Sequence, residues 1–168
     1  MCSSDLNHKF GEVFVLPKAR VLDNAAKVPG TDGEKMSKSY NNTIPIFETP
    51  AVMRKQIMRI TTDSRPMEQP KDPEQDHLYQ LYSLFATPEQ CQEMADLYRR
   101  GGFGYGHVKK ALADAAESYF GKARERREYL ASHMNEVAEI LADGAQRARA
   151  KAREVLTRAQ RACGLNGR

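Results

Sequence analysis

Three times between residues 49 and 88 a helix-capping side chain is followed at once by proline: Thr49-Pro50, Asp72-Pro73 and Thr87-Pro88. The hydroxyl or carboxylate accepts from an orphan N–H of the first turn, and proline at the first helical position gives up a donor that has no partner there anyway. Gln90 completes a capping box at the third of these starts. No strand signal follows Thr49, so the chain beyond it is predicted to be helical. The expected helices are Ala51–Ile60, one from Pro73 to about Phe85, one from Pro88 to Arg100, His107–Leu130, a short Met134–Leu141, and Ala145–Cys163 capped by Gly164. Their apolar faces are Val52, Ile57 and Ile60; Leu78, Leu81, Tyr82 and Phe85; Val108, Leu112, Ala115, Ala116 and Tyr119; and Ala148, Ala152, Val155, Ala159 and Ala162. Asp143-Gly144 is expected to end the Met134–Leu141 helix. The glycines of Gly101–Gly106 follow a helix rather than a strand, so they read as a tight connection and not as a dinucleotide fingerprint. Residues 49–168 are therefore expected to form an antiparallel helical bundle.

Residues 1–48 differ. Glu12-Val13-Phe14-Val15-Leu16-Pro17 alternates and is rich in β-formers, which predicts a short strand. Arg20-Val21-Leu22 and Ala26-Lys27-Val28 read as further extended pieces, closed by the Pro29-Gly30 turn. Then comes Gly30-Thr31-Asp32-Gly33-Glu34-Lys35-Met36-Ser37-Lys38-Ser39-Tyr40, which has little bulk to bury. Glycine lets a backbone bend and approach a ligand, lysine brings a compact charge, and serine adds donors to anionic oxygen. The segment reads as a mobile, cationic, phosphate-seeking loop hinged at Gly30 and Gly33; a plain solvated turn is the competing interpretation.

The net charge of +4 is unevenly placed. Residues 121–168 hold eleven Lys or Arg against six Asp or Glu, whereas residues 1–120 hold fifteen against sixteen. An anionic partner is expected at the basic end. There, Arg147, Lys151, Arg158 and Arg161 line one helix face, interrupted by Glu154; Lys122, Arg124, Arg126 and Arg127 form a second cluster. Cys2, Cys91 and Cys163 are odd in number and match no metal or disulfide spacing, so no metal site and a reducing, cytoplasmic setting are expected. No run is long and apolar enough for a membrane span, and residues 1–10 have no signal-peptide core.

The string Lys35-Met36-Ser37-Lys38-Ser39 is, letter for letter, the signature loop of class I aminoacyl-tRNA synthetases. Flanked by Val28-Pro29-Gly30-Thr31-Asp32-Gly33 and Tyr40-Asn41-Asn42-Thr43-Ile44, it resembles the tryptophanyl branch of that class, with the tyrosyl branch as the nearest alternative. The likeness runs from about Leu6 to about Leu165. It implies a mainly α chain: the C-terminal piece of a Rossmann-type catalytic domain over residues 1–48, carrying short strands and the signature loop, and a helical tRNA- and anticodon-binding domain over 49–168. It implies ATP-dependent activation of tryptophan and transfer to tRNA, with Mg2+ carried on the ATP phosphates, in a homodimer.

The resemblance assigns catalysis to Lys35 and Lys38, ATP binding to Val28, Lys35, Met36, Ser37, Lys38 and Ser39, and tRNA contact to the region of Arg147, Lys151, Arg158 and Arg161. The histidine-bearing element that accompanies this loop in the family has no counterpart in residues 1–34, and the tryptophan pocket lies upstream in the family. The chain thus looks like the C-terminal half of such an enzyme and is expected to be inactive alone. A non-catalytic helical RNA-binding module is the alternative from another class.

Overall fold

The structure, a computed structural model, describes residues 3–21 and 27–165. Among them the α-helices are α1 Ser3–Phe10, α2 Pro50–Met58, α3 His77–Ser83, α4 Pro88–Arg100, α5 Tyr105–Ala131 and α6 Met134–Ala162. Residues 1–20 and 128–168 form one compact unit, and residues 21–127 another. Leu22 and Ala26, from the two expected extended pieces, lie outside the described residues.

The mainly helical expectation holds, but the short strands do not. Among the described residues the only β pairing is an isolated antiparallel bridge between Pro29 and Lys35. Glu12–Pro17 forms no strand because its backbone is already engaged. The Asn7 Oδ1 accepts from Val13 N (3.1 Å) and Phe14 N (2.8 Å), and its Nδ2 donates to Phe14 O at 2.7 Å. Val15 remains 90% exposed, so the β-forming side chains have no sheet face to bury against.

Two of the three cap-plus-proline starts behave as expected. Thr49 accepts from Val52 N, and Thr87 with Gln90 makes the full capping box. The middle one is corrected. Asp72 caps only a 3-10 turn, Pro73–Gln75, and the true cap of α3 is Asp76. The buried Asp76 carboxylate accepts from Leu78 N (2.9 Å), Tyr79 N (3.1 Å) and Tyr98 Oη (3.2 Å). Reaching all three holds its own backbone extended, which interrupts any helix running through from Pro73. A second correction concerns α6, which passes unbroken through Gly144. Glycine inside a helix costs only about 1 kcal/mol against alanine. The Arg147–Asp143 pair spans the site at 2.9 Å.

The core of the 21–127 unit is built from α2, α3, α4 and α5, with Met53, Ile57, Leu78, Tyr98 and Leu112 fully enclosed. The buried side of α2 is Met53 rather than the expected Val52, and Ala113 rather than Tyr119 serves α5. Arg54 crosses from α2 to Asp114 (2.6 Å) and Glu117 (2.9 Å) of α5. These partly exposed pairs add direction more than stability.

On this core sits a tight hairpin. Met36 N donates to Val28 O (2.9 Å), and Gly30 N to Glu34 O (2.6 Å). Asn42, 2% exposed, closes it. Its Oδ1 accepts from Ser37 N (2.7 Å), while its Nδ2 donates to Asp32 Oδ1 (2.8 Å) and Lys35 O (3.2 Å). Its carbonyl accepts from Thr31 N (2.9 Å). A Cβ on Gly30 would fall 2.4 Å from the Asn42 amide, so this glycine makes room for Asn42. The Asn42 amide, then the Glu34 N–H, hold the Asp32 carboxyl below the usual carboxylate range.

Two outcomes follow. Leu112→Ala should lower stability by about 2–5 kcal/mol, whereas Val52→Ala should cost less than about 0.5 kcal/mol, as read by chemical denaturation. Asn42→Ala removes the half-buried hydrogen bonds to Ser37 N and Lys35 O, together at a cost of about 1–3 kcal/mol. It should also let the Asp32 titration, followed by NMR, rise back toward about 3.9. In the unaltered protein the folded value is the lower one. The contribution of Asp32 is therefore complete above the unfolded value and is lost as pH falls through the folded one.

Candidate functional site

The hairpin presents its cations in a fixed pattern. Met36 is half-buried and packs, with Val28 and Ile44, against the core. Lys35 and Lys38, on either side of it, are exposed. Ser37 starts a 3-10 turn over Lys38–Tyr40: its Oγ accepts from Ser39 N (3.3 Å) and lies 2.7 Å from the Ser39 Oγ. Asn41, at φ 53°, ends the turn by donating from its N–H to Lys38 O at 3.2 Å. The signature string is thus an anchored methionine, a capping serine and two outward lysines.

Among the described residues the charge of these two lysines is not offset by a salt bridge: neither Lys35 nor Lys38 has a carboxylate at ion-pair distance. Two positive groups three residues apart on one turn, unneutralised and in water, suit an anion with several oxygens. The turn is closed by its own hydrogen bonds. Gly33, at φ +86°, supplies a bend that side chains rarely adopt. Val28 belongs to the hairpin: its carbonyl is engaged by Met36, and its side chain packs on the core. Sequence inspection did not single out Asn42. A buried asparagine two residues past a loop reads like any turn residue until the backbone folds around it.

The basic residues of α6 are exposed but differently engaged. Arg147 pairs with Asp143 and Lys151 with Glu154, each at 2.9 Å. Exposed pairs of this kind are worth about 0–1 kcal/mol and release their cations readily. Arg158 donates from Nε to Val13 O at 2.7 Å. Arg158 and Arg161, with Arg153 and Thr157, line an open groove of about 510 Å3. Sequence inspection did not single out Arg153. In the second basic cluster Arg124 is no surface cation: it is 8% exposed and donates to Glu117 O at 2.8 Å. Among the described residues no helix is long and apolar enough to cross a membrane, and no group of three or more His, Cys, Asp or Glu could hold a metal ion.

The chain has clear relatives. The family model described as tRNA synthetases class I (W and Y) matches residues 2–121. A tryptophan–tRNA ligase of Rhodopirellula baltica is 61% identical over 163 residues, covering 97% of this chain and 51% of that protein. A tryptophan–tRNA ligase of Fusobacterium nucleatum is 44% identical over 162 residues, covering 96% and 50%. A solved tryptophanyl-tRNA synthetase from Campylobacter jejuni, complexed with ADP and tryptophan, superposes with a TM-score of 0.75 at 41% identity, over 97% of this chain and 51% of that one. The chain spans about half the length of these relatives. With a matching family model over most of its length and the signature string held as a formed turn, this chain belongs to the class I tRNA synthetases of the tryptophanyl and tyrosyl (W and Y) family.

Proposed function

We propose that this chain is the loop-bearing part of a tryptophan–tRNA ligase, which joins tryptophan to ATP as the adenylate and then passes it to tRNA. The observation that carries this reading is the pair of unneutralised lysines, Lys35 and Lys38, held outward on either side of the anchored Met36. As pyrophosphate departs, negative charge grows on its oxygens. Cations already in place stabilise that charge more in the transition state than in the ground state, and this lowers the barrier. Lys38 is the stronger catalytic contributor, and Lys35 is a ligand of the ATP phosphates. Met36 holds the turn in place, Ser37 and Ser39 offer hydroxyls to phosphate oxygen, and Val28 contacts adenine through its backbone.

Mg2+ accompanies ATP, ligated by phosphate oxygen and water rather than by a protein carboxylate cluster. Residues 1–48 act as the C-terminal piece of the Rossmann-type catalytic domain, and residues 49–168 serve tRNA. Arg147, Lys151, Arg158 and Arg161 contact the tRNA backbone. The complete enzyme works as a homodimer in the cytoplasm. A 61% identical tryptophan–tRNA ligase supports tryptophan over tyrosine as substrate.

The test completes this chain with the segment of the Rhodopirellula baltica relative that it does not cover. Lys38→Ala should slow pre-steady-state adenylate formation by about 100- to 1,000-fold, the scale of losing one preorganised electrostatic group, while tryptophan binding stays near its original value. Equal losses in both would overturn the assignment. In the same protein tRNA affinity should fall steeply with salt, and Arg161→Ala should lessen the slope of log K against log salt by about 1. An unchanged slope removes Arg161 from the tRNA contact.

A further inference from the structure

The turn carrying the lysines is braced from outside itself. Thr61, in the segment after α2, donates from its N–H to Thr31 O at 2.8 Å. The Thr61 carbonyl lies 2.7 Å from His77 Nε2. A carbonyl only accepts, so Nε2 carries the hydrogen and donates. The other side of the ring lies against Gly33: a Cβ there would sit 3.3 Å from Nδ1 and 3.5 Å from Cγ and Cε1. A half-buried imidazole therefore both packs on the bend and hydrogen-bonds the strand of backbone that holds the bend.

The chain of contacts continues inward. Thr31 N donates to Asn42 O at 2.9 Å, and the Asn42 side chain accepts from Ser37 N at 2.7 Å. Four hydrogen bonds thus run from His77 through Thr61, Thr31 and Asn42 to the amide of Ser37, which lies between the two lysines. At the other end His77 stands on a fixed base. It is the first residue of α3, and the preceding Asp76 is buried and bonded to Leu78 N, Tyr79 N and Tyr98 Oη. Tyr98 is fully enclosed in α4.

We propose that His77 is a positioning residue for Lys35 and Lys38: it transmits the placement of α3 and α4 through Thr61 to the turn that holds the two cations. This rests on the reading of that turn as a phosphate-binding loop. A shift of α3 would move the ammonium groups, so an event among the helices would be felt at the phosphates.

The test uses the 168-residue chain with inorganic pyrophosphate as the probe. It follows amide hydrogen exchange at Thr61 and Ser37, and the shifts of the Lys35 and Lys38 side chains on titration. His77→Ala should speed exchange at both amides by about five-fold or more, as expected for one lost hydrogen bond. It should weaken the pyrophosphate response while the Leu112 amide keeps its protection. His77→Gln, whose amide nitrogen occupies the place of Nε2, should restore both, and His77→Asn, which reaches only the place of Nδ1, should not. Exchange unchanged in His77→Ala, or equal rescue by Asn and Gln, would overturn the proposal. If His77→Ala also loses protection at Leu112, the comparison of Gln with Asn decides. A wild-type chain blind to pyrophosphate would sink the phosphate reading, while the exchange rates still decide the bracing by His77.

Discussion

The Asn42 side chain is the constraint on which the site depends. One buried amide satisfies the Ser37 N–H, the Asp32 carboxylate and the Lys35 carbonyl together. A loop so rich in glycine, serine and lysine has little hydrophobic gain to offset its conformational entropy. Hydrogen bonds made out of water supply order that packing cannot. Gly30 exists in this arrangement to let the amide in, because a Cβ would overlap it. With the turn closed, Met36 reaches the core and the adjacent lysines have nowhere to go but outward.

Charge is arranged to the same end. Several cations of the 21–127 unit are held by partners of their own. Arg54 is held by Asp114 and Glu117, Arg65 by Asp63, and the buried Lys71 by the carbonyls of Pro66 and Gln69 beneath the Phe103 ring. Lys35 and Lys38 have no such carboxylate partner among the described residues. An anion arriving there meets cations that need not first break an ion pair. On α6 the contrast is weaker, since Arg147 and Lys151 sit in exposed pairs that compete only slightly with a polyanion.

In two of the places where sequence reading failed, a side chain had bonded to backbone and changed the local outcome. Asn7 took the amides of Val13 and Phe14 and removed a strand that composition favoured. Asp76, reaching Tyr98 across 22 residues, ended one turn and began a helix that periodicity had joined. Gly144 failed to stop α6 because one glycine is a small cost in 29 residues of helix. Propensity counts neighbours along the chain, and it does not count the side-chain partners that decided the outcomes at Asn7 and Asp76.

The linear sequence was enough to determine that residues after Thr49 are helical, that Thr49 and Thr87 cap helices, and that Lys35-Met36-Ser37-Lys38-Ser39 is the chemically distinctive stretch. Those features rest on local hydrogen bonds, local periodicity and the identity of five consecutive letters. Tertiary structure alone decided that Asn42 organises the loop, that Met36 is its anchor, that His77 braces it from α3, and that Arg124 is a buried structural cation. Each of these depends on which groups lose water when distant segments meet. Desolvation, rather than propensity, sets the cost of leaving them unpaired.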